Sequence, residues 1–184
     1  MDNIIDMIRK NLGFDELHKV DPNTQDVPSG LKIFGMTTLA QAAIPSIVCA
    51  ISNHLETPGN RELILSGESS NWMSTIFGDK KNELLDKLAE YSNMPVSTVQ
   101  QEAEHIANEA IRVVRVALPD SSHESAIQSF AAASRREALL YLPASLQLGY
   151  LLDNNNIDDR TNKMEGPISS LMHKLENKLN SGNW

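Results

Sequence analysis

The chain reads as an all-α protein, a single globular multi-helix domain of about seven to nine helices in an irregular bundle. Three observations predict this. No segment of any length alternates apolar and polar residues with period 2, and no Asn-Gly or Asp-Gly turn separates β-branched runs. Helix start and stop residues recur along the sequence. Finally, the charge-free residues gather in two stretches, Ile33–Leu55 and Ala138–Leu152, suited to a buried core.

Taken in order, Asp2 and Asp6 precede Arg9 and Lys10, which complements the dipole of a first amphipathic helix, and Gly13 stops it. His18–Gly30 reads as a loop from its Pro, Asp, Asn and Gly content, within a connection spanning residues 14–35. Thr37–Leu55 forms the next helix, ended by Thr57-Pro58-Gly59, with Pro45 as a kink or a restart. A short helix covers Ser70–Phe77 and is closed by Gly78. Asp79 caps another, with Leu84, Leu85 and Leu88 inward, that ends at Asn93-Met94-Pro95. Two capping boxes follow, Ser97–Gln100 and Ser121–Glu124. The first opens a helix whose stripe is Val99, Ala103, Ile106, Ala110, Val113 and Ala117. Pro143 starts a new helix within Ala138–Leu152. A last helix from Gly166-Pro167 carries Ile168, Leu171, Met172, Leu175 and Leu179 on one side, and Asn180-Ser181-Gly182 ends it.

A length of 184 residues suits one domain over 1–184. The 24 acidic and 16 basic side chains leave a formal charge of −8, which argues against neutralising phosphates as the main task. Residues 1–92 hold 8 basic and 13 acidic side chains, and residues 93–184 hold 8 and 11, so there is no charged tail. A lone Cys49 excludes an internal disulfide framework and a cysteine-based zinc site. Met1-Asp2-Asn3-Ile4-Ile5-Asp6 carries acids where a signal peptide needs basic residues, which predicts an unexported, cytoplasmic chain. Ile33–Leu55 is long enough to span a bilayer, yet its Thr37, Gln41, Pro45, Ser46, Asn53 and His54 make insertion poor. A buried helix is the better expectation.

Among groups that could carry chemistry, Glu102, His105 and Glu109 share one helical face and include a Glu-x-x-His pair. Di-iron bundles need two such pairs plus two further carboxylates, and this chain has one pair. The plain alternative pairs Glu109 with Arg112. Asn154–Glu165 offers oxygen ligands at calcium-loop spacing but has Asp159 where the loop needs glycine. Ser66-Gly67-Glu68-Ser69 lacks the second glycine and the strand of a nucleophile elbow. Cys49 sits among Ile47, Val48, Ala50 and Ile51, the setting of an inert core thiol. His54 and His123 lie near helix ends, where capping explains them. A helix-turn-helix over Leu84–Asn93 and the helix from Thr98 would put Glu102 and Glu104 against phosphates. No phosphate or dinucleotide glycine motif occurs, so no cofactor or small-molecule ligand is implied.

Trp72–Gly78 followed by Leu84–Met94 resembles part of the YidB-like bacterial helical proteins, a group of uncharacterised function. The sequence departs from that family in lacking its glycine-rich stretches. The resemblance implies a helical fold and carries no catalytic residue. The expected function is therefore non-enzymatic, through a protein partner or self-association. Ala138–Leu152, with Tyr141 and Tyr150 at a wet edge, and the last helix would supply apolar faces. A metal-dependent helical enzyme using Glu102, His105 and Glu109 is the alternative, and peripheral membrane association the third reading. Nucleic acid is disfavoured by the charge, as is an anionic membrane surface.

Overall fold

A computed structural model describes residues 3–21, 24, 26–28, 35–119 and 122–152. Its elements are α1 (Ile4–Leu12), α2 (Met36–Glu56), α3 (Asn60–Ser66), α4 (Trp72–Phe77), α5 (Lys81–Ser92), α6 (Val96–Ala117), α7 (Glu124–Ala138) and α8 (Leu148–Leu151). Short 3-10 turns cover Gly78–Lys80 and Ala144–Leu146. The described residues contain no strand. The predicted final helix and the calcium-like loop lie outside the described residues.

The architecture is organised around α2. Every residue from Thr38 to Ser52 is buried, and α1, α3, α4, α5, α6 and α7 all pack against this helix. The low polarity that raised the membrane question is what a helix enclosed on all sides requires. No helix among the described residues is long and apolar enough to cross a membrane. Pro45 neither restarts nor ends α2, which runs through it. Proline supplies no N–H to the preceding turn. One residue on, the Ser46 hydroxyl donates to the Ala42 carbonyl at 2.7 Å, and Ser52 does the same to Val48 at 2.8 Å.

Two polar side chains fix the surroundings of α2. Gln41 is 1 % exposed and bonds in three directions. Its Oε1 accepts the His18 N–H at 2.8 Å, and its Nε2 donates to the carbonyls of His18 (2.9 Å) and Tyr141 (2.8 Å). The segment 14–21, which has no regular structure, is thereby tied both to α2 and to the turn after α7. A backbone bond from Val20 N–H to the Leu140 carbonyl at 2.9 Å reinforces the tie. At the other end, Arg61 of α3 donates from Nε to the Leu55 carbonyl at 2.8 Å, satisfying one open carbonyl of the α2 terminus.

The helix ends show where local sequence rules held and where they gave way. Asn3 caps α1 by accepting the Asp6 N–H at 2.8 Å, and Gly13 closes it at φ 72°. Asn93 closes α5 in the same left-handed conformation, at φ 54°. The first expected capping box does not form. Pro95 is already the N-cap of α6, its carbonyl accepting the N–H groups of Thr98 and Val99, so Ser97 and Gln100 lie inside the helix. At α7, the N-cap is His123 and Glu124 is the first helical residue rather than the third, without a side-chain cap bond. Asp79 does not cap α5; a 3-10 turn intervenes and Lys80 occupies that position. The α4 helix begins at Trp72 with Asn71 as cap, not at Ser70. The stripe on α6 is buried as far as Val113, whereas Ala117 is exposed in the last turn.

Pro143 does separate two helical segments, as the N-cap of a 3-10 turn. The leucine-rich stretch around it faces inward: Leu146, Leu148 and Leu151 are 1–2 % exposed, so they belong to the core rather than to an outer contact face. Tyr141 packs against that core, while Tyr150 stays exposed. The α3 helix, which sequence punctuation did not mark, sits between Gly59 and Gly67, both at positive φ. Gly67 also lies under the Arg115 side chain, whose Cζ would be 2.6 Å from an added Cβ. Gly67→Ala is expected to cost about 1–2 kcal/mol, since it combines a left-handed alanine with displacement of Arg115. A urea midpoint equal to that of the native chain would refute this.

Candidate functional site

The candidate site is an open cleft of about 410 Å³ at the C-terminal end of α2. The last turns of α2 supply Ala50, Asn53, His54 and Glu56, and Thr57 and Asn60 continue the wall into α3. The end of α4 adds Ile76 and Phe77, the 3-10 turn adds Asp79 and Lys80, and α8 and its C-cap add Leu151 and Leu152. The last polar residues of α2 emerge where α4, the 3-10 turn and α8 meet.

His54 holds one wall in place. Its Nε2 lies 2.9 Å from the Ile76 carbonyl, which can only accept, so that nitrogen carries the proton. The other ring nitrogen, Nδ1, is buried and has no hydrogen-bond partner among the described residues. The ring thus joins α2 to α4 instead of capping its own helix. Around it, Glu56 pairs with Arg135 of α7 at 2.5 Å. Lys80 lies 3.7 Å from Glu83 and 4.9 Å above the centroid of the Tyr150 ring. Tyr150 is 60 % exposed at the rim.

The face carrying Glu102, His105 and Glu109 is arranged differently from a metal centre. His105 Nδ1 and Glu102 Oε2 are 4.0 Å apart, an i,i+3 pair on the outer face of α6 in which the His105 side chain is largely exposed. Glu109 is committed elsewhere: it takes two bonds from Arg112, at 2.8 and 2.7 Å, and one from Asn11 of α1 at 2.7 Å. The Arg112 bonds, followed by the Asn11 bond, hold its carboxyl below the usual range against the opposing effect of burial. Among the described residues no group of three or more His, Cys, Asp or Glu side chains is placed to hold a metal ion.

Ser66 and Ser69 serve the backbone. Ser69 Oγ accepts the Asn71 N–H at 3.1 Å and pairs with the Thr75 hydroxyl at 2.7 Å. Cys49 is fully buried, and that burial pushes its thiol up to about 12. Its thiolate is therefore suppressed: native protein is expected to resist a thiol-specific disulfide reagent near pH 8, and denatured protein to react fully. Rapid labelling of the native chain would refute this. The same shift stabilises the fold below the unfolded value of 9.0 and is lost as pH rises toward about 12.

Two residues central to the structure carried no motif in the sequence. One is Gln41, described above. The other is Glu104, whose carboxylate accepts the backbone N–H groups of Trp72 (2.5 Å) and Met73 (3.0 Å) at the start of α4. A glutamate capping another helix from 31 or 32 residues away leaves no local signature.

Fold and cleft together define an all-helical protein with one long enclosed helix and a solvent-open cleft at its end. No family model, no curated protein and no solved structure matches the chain.

Proposed function

We propose that this chain works by protein–protein contact, at the cleft and at the α8 rim beside it. The observation that carries the reading is the 410 Å³ cleft, floored by buried side chains of α4 and α8 and walled by polar residues of α2, next to the exposed ring of Tyr150. Exposed tyrosines beside a pocket are frequent energetic centres of interfaces, because a rigid ring buries much area at little entropic cost. The buried leucines of the same segment give α8 a fixed seat, so the rim presents a preformed surface.

Self-association is the form of contact that needs no second protein. Light scattering of the full chain across a micromolar concentration series tests it. The expected result is a mass that rises with concentration and falls back on Tyr150→Ser. A monomer throughout would overturn self-association. The metal-dependent alternative retains only the Glu102–His105 pair, and elemental analysis of protein purified without chelator tests that reading; stoichiometric iron, manganese or zinc would restore it.

A further inference from the structure

We draw no further inference here: the strongest candidate, the polar cleft at the C-terminal end of α2 whose lining includes Asn60 and Asp79, belongs to the site already described, and nothing in the structure shows what covers it.

Discussion

Gln41→Leu is expected to destabilise the protein by about 3 kcal/mol, because it strands three partly buried backbone groups at once. The His18 N–H, the His18 carbonyl and the Tyr141 carbonyl each lose their partner, while the added apolar surface gains little at a site already 1 % exposed. For a chain of this length that corresponds to a fall of roughly 6–12 °C in Tm. Gln41→Glu separates charge from shape. It keeps an acceptor for His18 N–H but points a carboxylate at two carbonyls, which disfavours the charged form in the folded state. Its folded pKa is then raised above the unfolded value, so the variant is expected to gain stability as pH falls toward about 4.3 and to lose it as pH rises. Urea unfolding of both variants across pH measures this. A leucine variant within about 0.5 kcal/mol of the native chain would refute the role assigned to Gln41.

The second large effect is expected at Glu104. Glu104→Ala removes an ionised acceptor from two N–H groups in the first turn of α4, at a cost of about 2–3 kcal/mol. Asn71 still caps Ser74 at 2.8 Å, so α4 should fray at its start rather than vanish. Glu104→Gln keeps the geometry and loses the charge, and about half of the effect should remain. Amide hydrogen exchange at Trp72 and Met73 gives the local readout. Unchanged protection of both amides in Glu104→Ala would show that the carboxylate does not hold this turn. Loosening α4 also loosens Ile76 and Phe77, so the same variant is expected to weaken whatever the cleft binds.

Much of the fold was legible because its cues are local. Gly13 and Asn93 stop α1 and α5 in left-handed conformations, and Thr57-Pro58-Gly59 follows the end of α2. The charge-free stretch containing Leu39–Ile51 is the most enclosed helix. The expected caps failed for equally local reasons. Pro95 and His123 supply the first carbonyls of α6 and α7, which puts Ser97 inside α6 and Glu124 at the first helical position of α7. The short α3 was hidden because a seven-residue helix with only Ile64 buried is too brief to show a period.

The cleft was far less legible. His54 looked like an end-of-helix residue and Asp79 like a cap, since nothing in the spacing from 54 to 79 says that α2 and the 3-10 turn meet. The Glu102, His105 and Glu109 face looked like chemistry because helical spacing alone aligns side chains. The structure shows that Asn11 and Arg112 reach Glu109 first.

By itself, then, the sequence determined the helical class, most of the helix bounds and the identity of the buried central segment. Those follow from periodicity, punctuation and the absence of charge, which act over a few residues. The tertiary structure alone decided which polar residues matter. Gln41, Glu104 and His54 act on partners 22 to 100 residues away, and such pairings arise only when separate helices are packed around α2.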